Sequence, residues 1–361
     1  MANDYDLIVI GGGPAGAAAA ITARRSGSRV LLLERTRFPR HKVCGEFVSA
    51  ESLDLLSSLL DGQHLHLLKD AVRISLARIF VDGRVIETPV EPPAASITRF
   101  NLDIALWESA IACGVDAMQQ VTVQEIRGVG PFQLATTSGE FEARAVVNAS
   151  GRWSNLNSPP TEQEKQQPKW VGLKAHFVER NPAPSVDLYF FEGGYCGVQP
   201  LNRASINACA MVRADVASKL ADVFHLQPAL AERSQNWQPL TEPVSISPLI
   251  FRTPQPVRDG LLMAGDAAAF VDPFVGDGIS LALRSGALVS ECLVSFFRGE
   301  ITLQQALGEY RQRYERRFAS VFRTSSKIRR MLVLPRPVRR PLLFVLQKAP
   351  GIARYLVSKT R

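Results

Sequence analysis

Short apolar runs, each closed by glycine or by a change of period, set the order of elements along this chain. Residues 6–10 read as a buried strand, 11–16 as a glycine turn, 17–26 as a small-residue helix and 29–34 as a second strand. That order is a βαβ opening. A polar loop at 38–46 follows, then a helix over 52–60. Residues 72–86 alternate on either side of Asp82-Gly83, which predicts a hairpin. The spacing of Leu102, Ala105, Leu106 and Ala110 predicts a helix over 101–112 that stops at Gly114. Residues 117–138 are strand-rich, and 145–148 are another buried strand.

Beyond them, a polar stretch between prolines, 159–168, predicts a surface connection or domain crossing. Strand patterns at 171–177, 186–191, 195–198 and 205–211 predict one antiparallel sheet. Residues 215–235 read as a helix, 260–264 as a short buried strand and 276–297 as a long helix. No apolar run is read as reaching the ~18–20 residues of a membrane span. The start, Met1-Ala2-Asn3-Asp4 leading into residues 7–10, reads as a first strand rather than a signal peptide.

Composition changes this picture little. The 361 residues are 46% hydrophobic and 21% charged, which is ordinary for globular proteins and excludes a disordered or collagen-like chain. At ~150 residues per domain the length suits two domains, or one large α/β core with an insertion. Five scattered cysteines, Cys44, Cys113, Cys196, Cys209 and Cys292, form no C-x-x-C pair and point to a reducing compartment. Charge changes the picture more. Residues 311–361 hold 15 Lys+Arg and a single acid, Glu315, for a net +14. The rest carries −6, so the overall +8 belongs to the tail, and nucleic acid is not an expected partner.

Two motifs carry the chemistry. Gly11-x-Gly13-x-x-Gly16 lies between strand and helix, where Gly13 lets a pyrophosphate approach the backbone and Gly16 allows close helix packing. The helix N-terminus then faces the anion. Glu34, at the end of the second strand, is placed to accept ribose hydroxyls. The second motif is the apolar run 261–264 ending in Gly265-Asp266, followed by Asp272-Pro273-Phe274-Val275-Gly276-Asp277-Gly278-Ile279. It selects FAD over NAD: Asp266 suits a ribityl hydroxyl, and the backbone N–H groups of Gly276 and Gly278 suit a flavin ring edge.

Together the motifs resemble the FAD-dependent aromatic-hydroxylase fold and, within it, the geranylgeranyl reductase-like branch. The segment 38–46, with Lys42-Val43-Cys44-Gly45-Glu46, is similar to that branch's Lys-x-Cys-Gly segment, and 97–103 is similar to its arginine-containing FAD segment. The resemblance spans about residues 5–300. It implies that Ala15, Gly16, Glu34, Arg35, Arg99, Val121 and Asp266 hold the adenosine, pyrophosphate and ribityl parts. It places Cys44, Gly45, Gly278 and Ile279 near the isoalloxazine. Cys44 as a thiol over the flavin, Glu46 as a proton donor, and Tyr195 are the catalytic candidates. No metal is required.

Departures from the family pattern bear on substrate and reductant. Ser150 stands where many hydroxylases carry the acid of an Asp-Gly pair that helps position NAD(P)H, although Arg152 is near enough in sequence to meet a phosphate. The prenyl reductases' Tyr-x-Trp-x-Phe-Pro strand reads Tyr195-Cys196-Gly197-Val198-Gln199-Pro200. The halogenases' Trp-x-Trp-x-Ile-Pro motif is absent.

The expected architecture is α/β: a Rossmann-type FAD-binding domain (1–70, 96–168 and 245–300), an inserted antiparallel-sheet substrate domain (71–95 and 169–244), and a basic helical C-terminal region (301–361). The expected function is hydride transfer from reduced flavin to a double bond of a hydrophobic, isoprenoid-like or polyketide-like substrate. NAD(P)H or another donor supplies the electrons. The alternatives are a monooxygenase acting on an aromatic ring through a C4a-hydroperoxide, and a non-catalytic flavin-binding membrane-interaction protein. The expected location is cytoplasmic. Residues 329–361, with apolar runs at 331–334 and 342–346 between arginines, are a candidate contact with an anionic membrane surface.

Overall fold

The buried run that opens the chain becomes β1 (Asp4–Ile10), which leads through the glycine turn into α1 (Pro14–Arg25) and back to β2 (Val30–Glu34). The computed structural model describes residues 4–152, 156 and 161–332. β3 (Phe47–Val48), α2 (Leu53–Leu59) and α3 (His66–Lys69) come next, then the long hairpin β4 (Val72–Val81) and β5 (Arg84–Ser96). Its turn is left-handed at both Asp82 (φ 50°) and Gly83 (φ 77°), the backbone that a tight two-residue hairpin demands. Thr98 accepts from the Asn101 N–H and so starts α4 (Arg99–Ala112), two residues earlier than the apolar spacing predicts.

β6 (Asp116–Gln119), β7 (Val123–Arg127), β8 (Phe132–Thr136) and β9 (Gly139–Asn148) complete the first half. Within the expected loop at 159–168, the described residues include a short helix, α5 (Glu162–Gln166), started by a reciprocal Thr161–Glu164 capping box. β10 (Trp170–Val178), β11 (Ser185–Phe191), β12 (Gly194–Pro200) and β13 (Ser205–Arg213) follow.

The single helix expected over 215–235 is instead two, α6 (Leu220–Phe224) and α7 (Pro228–Ser234). Pro228 has no N–H to give to a preceding turn, so it opens a new helix. β14 (Gln238–Pro239), β15 (Val244–Ile246), β16 (Val257–Arg258) and β17 (Leu261–Met263) lead to α8 (Gly278–Phe297) and α9 (Leu303–Leu332).

Two sheets result. The first runs β16-β17-β9-β1-β2-β6, with β1, β2, β6, β9 and β17 paired in parallel, and β7 and β8 attached beside β9. Parallel strands need cover on both faces, and β1 and β2 are buried along nearly their whole length. The second sheet runs β14-β10-β13-β12-β11-β4-β5-β3. Its β10–β13 part is antiparallel as predicted, but β11 continues onto β4 in parallel (Ser185 opposite Leu76), so the hairpin at 72–96 extends the same sheet.

α1 is packed between the first sheet and α8. A Cβ at Gly286 of α8 would collide with the Ala15 carbonyl of α1, and one at Gly16 would collide with the Gly11 carbonyl. Among the described residues α8 is long and apolar enough to cross a membrane, which the sequence reading missed, but most of it is buried. α9 buries Tyr310, Tyr314, Phe318 and Val321 against the body, and the Tyr310 hydroxyl donates to the Met263 carbonyl at 2.8 Å.

Candidate active site

A cavity of about 480 Å³ lies between the C-terminal ends of β1 and β2, the 40–47 loop, and one face of the second sheet. Ligands in open parallel sheets bind at this end of the strands. Gly11, Gly13, Ala15, Glu34, Arg35, Cys44, Gly45, Glu46, Arg99, Val121, Tyr195, Asp266, Gly276, Gly278 and Ile279 all line it. Gly16, the remaining candidate, does not; it serves the packing of α1 against the turn.

Glu34 anchors one end. Its carboxylate accepts from the Gly12 N–H (2.8 Å), the Thr36 N–H and hydroxyl (2.8 Å each), and both terminal nitrogens of Arg40 (2.9 and 3.1 Å). Burial pushes its pKa up, but the Arg40 charge and the backbone donors outweigh this and hold it below the ordinary carboxylate range. Arg99 forks onto Asp103 with bonds of 2.7 and 2.8 Å. Lys42 lies beside Arg40 and Arg99, and burial together with these two cations pushes its pKa down to about 8. The Val121 N–H is spent on the Glu34 carbonyl.

The middle of the cavity is the segment Cys44-Gly45-Glu46. Glu46 has a left-handed backbone (φ 61°), a strained position for a residue with a side chain. Three groups hold it there: its carboxylate accepts from the Arg99 N–H (2.8 Å), Lys174 Nζ (2.6 Å) and His176 Nε2 (2.8 Å). Asn207 Nδ2 donates to the carbonyls of Cys44 and Gly45 (3.1 and 3.0 Å). Burial raises the Glu46 pKa, but His176 and Lys174 more than reverse this, and the carboxyl is ionised and fully engaged. This corrects the proton-donor reading: Glu46 positions the segment. Burial raises the pKa of the Cys44 thiol, so it stays protonated at the cavity wall.

Asp266 pairs with Arg152 (3.3 Å), whose guanidinium stacks over Phe270 at 3.8 Å. The Ser150 hydroxyl turns back to Asn148 Oδ1 (2.6 Å). The Gly276 N–H is bonded to the Pro273 carbonyl (3.0 Å), so of the two N–H groups assigned to a ring edge, this one is already used inside its own turn. The far wall is apolar, with Leu188, Phe190, Met211, Ile246, Leu249, Phe270 and Phe274.

Sequence reasoning missed Arg40, Lys174, His176 and Asn207. Lys174 and His176 did leave a trace: two polar residues at a spacing of two within an otherwise apolar strand, hence on one face.

The fit to FAD is good. A glycine turn opens onto a helix N-terminus, and a Cβ at Gly13 would point at the Arg99 guanidinium at 3.6 Å. The cavity runs unbroken from Glu34 to the β12 wall, and Arg40 Nε is buried without a hydrogen-bond partner among the described residues. Glu34, Arg99 and Asp266 would hold the adenosine, pyrophosphate and ribityl parts, with Cys44-Gly45 beside the ring.

A βαβ glycine turn, a second Gly-Asp motif and an apolar chamber between two sheets define a flavin-dependent oxidoreductase. The chain belongs to the FAD binding domain family, whose sequence model matches residues 4–325. It is 25% identical over 355 residues to conditioned medium factor receptor 1 of Dictyostelium discoideum, covering 89% of this chain and 69% of that protein. It is also 25% identical over 352 residues to digeranylgeranylglycerophospholipid reductase 1 of Methanococcoides burtonii, covering 89% and 82%. Among solved structures, the flavin-dependent brominase Bmp2 superposes with a TM-score of 0.83 at 19% identity, covering 99% of this chain and 93% of that one. The last likeness is one of fold.

Proposed function

We propose that this enzyme reduces a carbon–carbon double bond of a hydrophobic substrate held between the Cys44-Gly45 segment and the aromatic wall, with NAD(P)H or another donor as the source of electrons. Bound FAD supplies hydride chemistry; the protein supplies orientation, water exclusion and a proton. The observation that carries this reading is Cys44, a protonated thiol on the wall of an apolar chamber, next to the segment assigned to the flavin ring. Reduction of an alkene needs a proton as well as a hydride, and a buried neutral thiol retains one. Lys174, His176 and Asn207 fix the loop that carries it. The similarity to an archaeal prenyl-lipid reductase supports the same class.

The test is anaerobic. FAD-loaded enzyme reduced with dithionite is mixed with geranylgeraniol and, separately, with chalcone, and the return of the oxidised-flavin absorbance is followed. Reoxidation without oxygen, with the saturated product formed, supports the reading, and Cys44→Ser should slow it. Reoxidation by oxygen alone, with an oxygen atom added to the organic product, would overturn it.

A further inference from the structure

The cavity face of β12 carries Tyr195, Gly197 and Gln199, spaced by two along the strand. Tyr195 is 6% exposed, and its ring lies 5.4 Å from Phe190 and 6.2 Å from Phe274 between centroids. Its hydroxyl is buried and has no hydrogen-bond partner among the described residues. An enclosed hydroxyl without a partner is costly, and phenylalanine would fill the same apolar space without that cost.

The surroundings define what would satisfy it. Burial, and then the nearby Asp272 carboxyl, push the phenol pKa well up, so the group stays neutral and able to donate. Where Asp272 is ionised it would repel an anionic ligand oxygen, whereas a neutral one meets no such repulsion. Gly197 leaves room beside the ring: a Cβ there would meet only Leu188 Cδ2 at 3.4 Å and the Cys209 carbonyl at 3.7 Å. Gln199 Nε2 is fixed on Ser96 Oγ at 2.8 Å.

We infer that the Tyr195 hydroxyl donates a hydrogen bond to a neutral oxygen of the substrate, a carbonyl or hydroxyl on an otherwise apolar molecule. The inference rests on the proposed reading of the same chamber as the substrate site, and it narrows the substrate class from hydrophobic to hydrophobic with one oxygen function. Tyr195 acts here as a binding residue.

The test uses FAD-loaded enzyme and two isosteric probes, acetonaphthone and isopropenylnaphthalene, which differ by C=O against C=CH₂. Binding is read from the perturbation of the flavin absorbance. Tyr195→Phe should weaken acetonaphthone about tenfold and leave isopropenylnaphthalene within about twofold, since one hydrogen bond is lost and no volume is changed. Unchanged FAD content in the variant shows that the fold is kept. Equal shifts for both probes, an unaffected ketone, or no flavin perturbation by either probe in the wild type would each overturn the inference. Failure of the reductase reading appears separately, in the anaerobic reoxidation experiment, where these binding measurements play no part.

Discussion

On the α1–β2 side of the cavity polar atoms are mostly paired: Glu34 with Arg40, Arg99 with Asp103, Glu46 with Lys174 and His176. On the β12 side the Tyr195 hydroxyl is buried with no hydrogen-bond partner among the described residues. The glycines differ in the same sense. Gly16 and Gly286 sit where a Cβ would strike backbone, while at Gly197 one would make ordinary contact with a Leu188 methyl and the Cys209 carbonyl. The cofactor half is a rigid, pre-paired cradle. The β12 half, the substrate side on the reading proposed above, leaves space and an unpaired hydroxyl for a ligand to complete. A preorganised site for a constant ligand beside a looser site for a variable one is how a single scaffold serves several chemistries.

The largest expected effect breaks the cradle. Gly286→Ala forces a methyl into the Ala15 carbonyl, and neither backbone can yield without separating α1 from α8. Overpacking typically costs ~1–3 kcal/mol, and more where backbone is the obstacle. The variant should show a marked fall in melting temperature and in FAD per chain. Gly197→Ala is the counterpart and should change both only slightly. Equal tolerance of the two would remove the contrast.

Next is the buried cluster. Lys174→Met leaves the Glu46 carboxylate with His176 and a backbone N–H but no lysine charge. Removing one partner of such a pair costs ~3–5 kcal/mol. The pH dependence has a definite sign. The folded-state pKa of Glu46 is lowered, so its contribution is present above the ordinary carboxylate value near 4.5 and is lost as pH falls below it. Denaturant titrations should therefore show wild type losing stability on acidification through that range, and Glu46→Gln losing less.

These cases also show what the sequence could reveal. The glycine turn, Glu34 and the Gly265-Asp266 motif were legible because each is a local pattern whose spacing fixes its geometry. Cys44 and Arg99 were legible only through resemblance. Lys174, His176 and Asn207 reach Glu46 and Cys44 across more than a hundred residues, on strands whose register no local pattern sets. The break between α6 and α7 was readable from Pro228, but the apolar spacing on either side masked it. Arg40 sits in a segment that was read as a loop, and its pairing with Glu34 depends on the path of that loop.

Near Tyr195 the pH response runs in the opposite sense. Burial raises the Asp272 pKa to about 7, and Arg329, with Nε 3.9 Å away, only partly offsets it. A carboxyl whose folded pKa exceeds its unfolded value binds more protons in the folded state between the two, so stability falls as pH rises from about 4 to about 7. Asp272→Asn removes that penalty. Its melting temperature should exceed that of wild type by several degrees at pH 8 and match it near pH 4. No difference at either pH would mean that Asp272 is better solvated than its burial implies.

The smallest expected effect on the cavity comes from the C-terminal region. Most of the expected membrane-contact segment, 333–361, lies outside the described residues. Its first part, however, docks on the body: Arg329 lies over the Phe251 ring at 4.0 Å and near Asp272. α9 also turns Arg316, Arg323 and Lys327, at spacings of seven and four and thus on one side, to solvent. We propose that this face and residues 333–361 together bind an anionic lipid surface, each base contributing ~1 kcal/mol when close to it. Removing 333–361 leaves Arg329 in place, so FAD binding and the Asp272 pH response should be unchanged while pelleting with anionic liposomes falls. Reversing Arg316, Arg323 and Lys327 to glutamate in the full chain should weaken pelleting at low salt and flatten its dependence on salt, because fewer exposed cations remain to be screened. Equal pelleting of full-length and truncated protein, or indifference to both salt and anionic lipid, would end the membrane reading. Loss of FAD on truncation would show instead that the region belongs to the cradle, and the contrast between a closed cofactor half and an open substrate half would have to include it.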